Sequence, residues 1–182
     1  LTFISNIGGE ATENYNLQLN LVYNSNNTEN KHKISNGWRL NVMQQVDTEG
    51  VTQMEETQDY RYYIDSDGTK HYFYNDNGTY KDEDNLGYVY TSVGSGSDLI
   101  RHKITTKDKA VLSFDSSGFL RLLEDPNGNT MRFNYTAHAS GNYITSITDT
   151  DNTVLFNFTY DAGITKLLSV TNARSGQTAS FI

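Results

Sequence analysis

The chain has 182 residues and a net charge of −8, with no cysteine, one proline and 13 tyrosines. That length suits one domain or a piece of something larger, and a domain near it buries roughly 70% of its unfolded surface. The acidic balance argues against nucleic acid and anionic membranes, which need a basic face. The lack of cysteine excludes disulfide scaffolds, cysteine–zinc sites and thiol catalysis. No run approaches the about 18 apolar residues of a membrane span. The first residue is Leu1 rather than Met, so a fragment or mature product is expected. No signal peptide is expected, because no basic stretch precedes an apolar one.

In chain order, the apolar residues repeat with a period of two. In "NLQLNLVYN", Leu17, Leu19, Leu21 and Tyr23 fall on one side, opposite Gln18 and Asn20. Strict alternation of this kind predicts a strand with one buried face. Trp38, Leu40 and Val42 alternate in the same way. The acids crowd into Asp47–Asp98, where a solvated surface is expected. "SDG" (Ser66–Gly68), "DNG" (Asp76–Gly78) and "PNG" (Pro126–Gly128) predict tight hairpin turns, since Gly and Asn accept positive φ. "SVGSGSD" (Ser92–Asp98) predicts a flexible loop. Met131, Phe133 and Tyr135 alternate, as do Phe156, Phe158 and Tyr160. No apolar stripe of helical period exceeds one turn, and Gly, Asn and Asp recur too often for long helices.

The hairpins also resemble one another. Leu120, Ile144 and Leu167 align at spacings of 24 and then 23 residues, as do Leu123, Ile147 and Val170, and Asp125, Asp149 and Asn172. Phe133, Phe158 and Phe181 follow with one residue of slippage. Fainter copies lie at Thr106–Phe114 and Asp65–Phe73. A period in the low twenties is one two-stranded unit, and such units gain stability by stacking. The expected fold is all-β: antiparallel hairpins in one long twisted, curved sheet. Residues 1–46 would be N-terminal strands leading into the repeats, with a separate sheet before residue 47 as the alternative. Residues 47–98 would be an acidic hairpin segment with a degenerate repeat, and 99–182 about three repeat units.

"FDSSGFL" (Phe114–Leu120) and "YDAGITKL" (Tyr160–Leu167) pair an aromatic with Asp ahead of a Gly. These resemble the tyrosine–aspartate (YD) repeat of the Rhs family, which includes bacterial Rhs and cell-wall-associated proteins, toxin-complex shell subunits and teneurins. "LVYNSN", "GWRLN" and "YIDSDGTKHYF" resemble the segment that precedes the repeats in Gram-positive members. The repeat positions are then Asp65, Gly68, Phe73, Phe114, Asp115, Gly118, Leu120, Asp125, Gly128, Phe133, Tyr135, Asp149, Phe158, Tyr160 and Asp161. Phe114 replaces the usual tyrosine, "YDAGIT" is one residue short before its Gly, and Asn172 stands where other units have Asp. The resemblance implies an arc of a hollow β-shell in a secreted or cell-surface bacterial protein. The partners would be the remainder of the parent chain, with further repeats and a C-terminal toxin as cargo, and a glycan as a further candidate. The family's self-cleaving core is not found, because Asp125 and Pro126 sit at a repeat's own turn.

Other chemistry has weaker sequence support. Asp65, Asp67 and Asp76 could form a calcium loop, but with Gly68 as its sixth position the first and twelfth would be Tyr63 and Tyr74. Paired carboxylates near Trp38 or the tyrosines would suit a glycoside hydrolase. Exposed tyrosines would suit an adhesin module that binds a glycan or a protein. His32, His71, His102 and His138 have no metal-ligand spacing, and neither a nucleophile elbow nor a phosphate loop is present. The sequence therefore predicts no enzyme, no cofactor, and neither nucleic-acid binding nor membrane insertion.

Overall fold

In a computed structural model the chain is described over residues 2–11, 16–26, 32–46, 59–94, 99–139 and 141–181. The strands are β1 (Thr2–Ala11), β2 (Asn16–Asn24), β3 (Trp38–Leu40), β4 (Gln45–Val46), β5 (Tyr60–Ile64), β6 (Lys70–Asp76), β7 (Thr79–Asp82) and β8 (Val89–Ser92). They continue as β9 (Ile100–Thr105), β10 (Val111–Asp115), β11 (Leu120–Glu124), β12 (Thr130–Thr136), β13 (Tyr143–Thr148), β14 (Val154–Tyr160), β15 (Leu167–Asn172) and β16 (Thr178–Ser180). Among the described residues there is no helix, and the strands pair antiparallel. The expected acidic segment lies outside these residues from 47 to 58, and so does the expected loop from 95 to 98.

The chain forms two compact units, residues 44–128 and residues 1–43 with 129–182. In the first, β4–β7 form one sheet in sequential order, and β8–β11 follow one another in a second. The two layers share an aromatic core. Phe73 lies against Tyr90 at 5.7 Å between ring centroids, and Tyr63 meets Phe114 edge-on at 5.9 Å. The Val46 N–H also donates to the Gly118 carbonyl at 3.0 Å. Large aromatics suit this job, since each buries much apolar area in one rigid body.

In the other unit, β1–β3 form a three-stranded sheet before residue 47, and β12–β16 run in sequential order. The alternation of Met131, Phe133 and of Phe156, Phe158 is realised as buried side chains, with Arg132, Asn134 and Asn157 exposed. Ile144, Ile147, Leu167 and Val170 are buried from the neighbouring strands. Phe181 falls beyond β16 and is only half-buried. The N-terminal strand corrects the sequence reading in part. Leu17 and Leu19 are buried, but further along β2 the buried residues are Val22 and Asn24, while Leu21 and Tyr23 are half-buried. The change coincides with a bulge at Ile7 of β1, opposite Leu19 and Asn20. Bulges increase local twist and re-aim side chains.

One turn recurs between the strands. At Asp115 the carbonyl accepts the Gly118 N–H at 3.0 Å, while the Asp115 N–H donates to the Phe119 carbonyl at 3.0 Å. Its carboxylate Oδ1 accepts the N–H groups of Ser117 (2.9 Å) and Phe119 (3.0 Å). Gly118 has φ +79°. This is a three-residue loop, a type I turn closed by a left-handed residue and a bulge. Asp65 and Asp149 make the same set of bonds, with Gly68 (φ +85°) and Asn152 (φ +62°) at the left-handed position. Asp125 accepts from Asn127 and Gly128, with Gly128 at φ +85°. Only "DNG" makes the two-residue turn expected of Asn-Gly, with both Asn77 and Gly78 at positive φ. "SDG" and "PNG" instead place a single positive φ after a type I turn.

Asp161 and Asn172 anchor versions one residue longer, closing on Lys166 and Gln177. In the Asp161 turn the left-handed residue is Ile164 (φ +51°) and not Gly163. A β-branched residue there is a genuine outlier.

Candidate functional site

The densest polar chemistry among the described residues lies on β5–β7. Pairing sets Tyr63 opposite His71 and Arg61 opposite Phe73, so these four share one face. Tyr60, Tyr62, Tyr72 and Tyr74 share the other and are half-buried.

On the first face His71 is buried, although it is a polar ring in a strand. Its Nε2 lies 2.8 Å from Asp65 Oδ2 and its Nδ1 lies 3.2 Å from Asp84 Oδ2. Tyr88 meets the ring edge-on at 5.6 Å, and Tyr63 lies 5.9 Å from it. Asp65 is brought there by the β5–β6 turn, where its other oxygen holds the backbone. Burial raises the Asp65 carboxyl above its ordinary range, the hydrogen bond with Asp67 adding to the rise and His71 opposing it. Asp67 is held below its range by its hydrogen bond with Asp65, against a smaller effect of burial.

A second cluster lies along the same face. Asp59 pairs with Arg61 and accepts the Tyr80 hydroxyl. Burial opposes ionisation of Asp59, but Tyr80 and Arg61 together hold its carboxyl below the usual range. Tyr80 meets Tyr90 edge-on at 4.7 Å, and the Tyr90 hydroxyl lies 2.6 Å from His102 Nδ1. Burial, then the Arg61 charge, lowers the pKa of His102. Burial, then the bond to Asp59, pushes the Tyr80 phenol up to about 12.

The three calcium candidates are not brought together. Asp65 and Asp67 share a turn, but their oxygens are engaged by backbone N–H groups and by His71. Asp76 sits at the far end of β6, about 20 Å along the strand from its start, and pairs with Lys81. No group of three or more His, Cys, Asp or Glu side chains among the described residues is placed to hold a metal ion. Nor does His71 suit a nucleophilic triad, because both ring nitrogens face carboxylates and neither is turned toward a hydroxyl.

The remaining singled-out residues are structural in their surroundings. Phe73, Phe114 and Leu120 are fully buried, and Phe133 and Phe158 nearly so. Phe114, next to last in β10, and Tyr160, last in β14, directly precede the turn residues Asp115 and Asp161, so the aromatic–Asp pair joins a packed ring to a backbone anchor. Burial raises the Tyr160 phenol above its ordinary range, and its ring meets Tyr143 edge-on at 5.0 Å. Tyr135 is half-buried. Asp115 also takes Arg121 in a two-pronged ion pair, both contacts at 2.6 Å.

The unit of residues 1–43 and 129–182 contains a cavity of about 350 Å³, lined by Gly8, Gly9, Leu19, Phe156, Asn172 and Gln177 among others. None of its lining residues is ionisable, so it supplies no acid or base.

The sequence reading passed over His71 as one of four scattered histidines. The available signal was its place two residues before Phe73, which puts both on one face of β6. No protein-family model matches the chain, and no curated protein matches it.

Proposed function

We propose that the chain is a non-catalytic structural segment of the β-shell of a large secreted or cell-surface bacterial protein of the Rhs/YD-repeat kind. Its strands would form an arc of the shell wall, encapsulating or presenting other parts of the parent, with toxin delivery or contact-dependent competition as the setting. One observation carries the reading: β5–β6, β10–β11, β11–β12 and β13–β14 are each joined by an Asp-anchored turn, and β10–β15 contribute apolar side chains to a buried row. Units of this kind extend by adding neighbours and leave edges that further strands cover. Among the described residues of the acidic segment, most carboxylates are engaged in turns and ion pairs, which fits a wall better than a hydrolase. The test is the reading frame beyond Ile182. Further repeats, then a core region and a short unrelated C-terminal domain, are expected. A frame that stops soon, or runs into a wall anchor with no core, would sink the proposal.

A second reading has one observation in its favour. The outer face of β5–β6 carries the cross-strand pairs Tyr60–Tyr74 and Tyr62–Tyr72, with Lys70 over the Tyr62 ring at 4.5 Å. Rings with polar tips suit a glycan- or protein-binding adhesin. Reproducible binding on a glycan array, lost in Tyr72→Ala, would favour it over a purely structural role.

A further inference from the structure

We propose that His71 is a proton-operated latch that holds the β7–β8 connection, residues 83–88, against β6. Beyond the Glu83 N–H, which donates to the Tyr72 carbonyl of β6 at 3.0 Å, the connection has few other anchors. Residues 83–87 are exposed, and Asn85 (φ +53°) and Gly87 (φ +80°) bend it through left-handed conformations. The Asp84 and Tyr88 N–H groups both donate to the Asp82 carboxylate, at 3.1 Å each. The Asp84 side chain reaches His71, and Tyr88 covers the ring. His71 thus clips the turn residue Asp65 to the loop residue Asp84.

The chemistry of the clip follows from its acceptors. An ionised carboxylate only accepts hydrogen bonds, so bonding two of them requires an N–H on both ring nitrogens. Only the imidazolium has both. Loss of one proton leaves one nitrogen without an N–H, so a lone pair then faces a carboxylate. Asp65 is the more enclosed partner, and Asp84 the more exposed, at 46% of its side chain. The Asp84 bond is therefore the one that opens. The charged and titratable groups around the ring are Asp65 and Asp67 from the β5–β6 turn, Tyr63 from β5, and Asp84 and Tyr88 from the connection. Asp82 and Asp108 act on Tyr88, and Lys107 lies beside Gly87. The surroundings are mostly acidic.

The experiment is hydrogen exchange on the intact 182-residue chain between pH 5 and pH 8, corrected for the intrinsic pH dependence of exchange. The Asp84 and Tyr88 amides should lose about tenfold protection as the His71 ring deprotonates, the scale of one charge-assisted hydrogen bond. The β6–β7 ladder amides should keep theirs, which separates loop opening from unfolding. Asp84→Asn, at an exposed site, should abolish the pH dependence while leaving the fold intact. Ring ¹⁵N shifts should report His71 doubly protonated while the loop is closed. A neutral ring in the closed state, equal protection at both pH values, or an unchanged pH dependence in Asp84→Asn would each overturn the latch.

Discussion

In β12–β15 the buried rows are aliphatic or Phe: Met131 and Phe133, Ile144 and Ile147, Phe156 and Phe158, Leu167 and Val170. In β5–β7 the buried face instead holds Tyr63, His71 and Phe73, with ion pairs and tyrosine hydroxyls at its margins. The turns do not follow this division. Asp65 in one region and Asp149 in the other grip their loops through the same backbone bonds. Hairpin geometry is thus set by the turn, while the filling of the face varies with what it packs against. Apolar rows gain from area alone, whereas a buried His needs each partner in place.

The largest expected effects concern the apolar rows. Phe133→Ala and Phe158→Ala should each cost about 3–5 kcal/mol in denaturant melts. A loss under about 1 kcal/mol would mean that the aliphatic region does not depend on its packed face.

The turns come next, and here the regions should differ. Asp115 is buried and holds both a loop and Arg121, so Asp115→Ala should cost about 3 kcal/mol or more by stranding a partly buried cation. Asp149 holds only its loop, so Asp149→Ala should cost about 1–2 kcal/mol. Equal losses would show that the ion pair adds nothing to the shared anchor.

Smaller effects test the left-handed position itself. No atom lies within 4 Å of a Cβ added at Gly128, so Gly128→Val should cost about 1–2 kcal/mol through its backbone alone. Conversely, exposed Lys109 at φ +71° fills that place in the Thr106 turn, and Lys109→Gly should stabilise by about 0.5–1 kcal/mol.

Last, a phenol titration should find Tyr80 ionising near 12. A raised acid contributes stability below its unfolded pKa, near 10, and loses it as pH climbs through the folded value. Asp59→Asn should bring Tyr80 down, and an unshifted phenol in the parent chain would dissolve the Asp59–Arg61–Tyr80 cluster.

Much of the strand pattern was legible because a half-buried strand must alternate. "MRFNY" and "FNFTY" could be read directly, as could the "PNG" turn that leads into the first. The turn type was not legible, since "DNG" and "PNG" both offer Asn-Gly yet adopt different loops. The change of buried face in β2 escaped because a bulge in β1 is invisible in the β2 sequence. The His71 cluster was only half legible. Its burial follows from its spacing to Phe73, but Asp84 is brought back by a hairpin and a connection whose path no local pattern encodes.

The proposed shell wall is tested most directly by electron cryomicroscopy of the full-length natural protein. A hollow β-walled particle in which residues 99–182 continue strand by strand into neighbouring hairpins is the predicted result. A parent in which these strands form a separate module, with both edges open to solvent and no enclosed chamber, would contradict it.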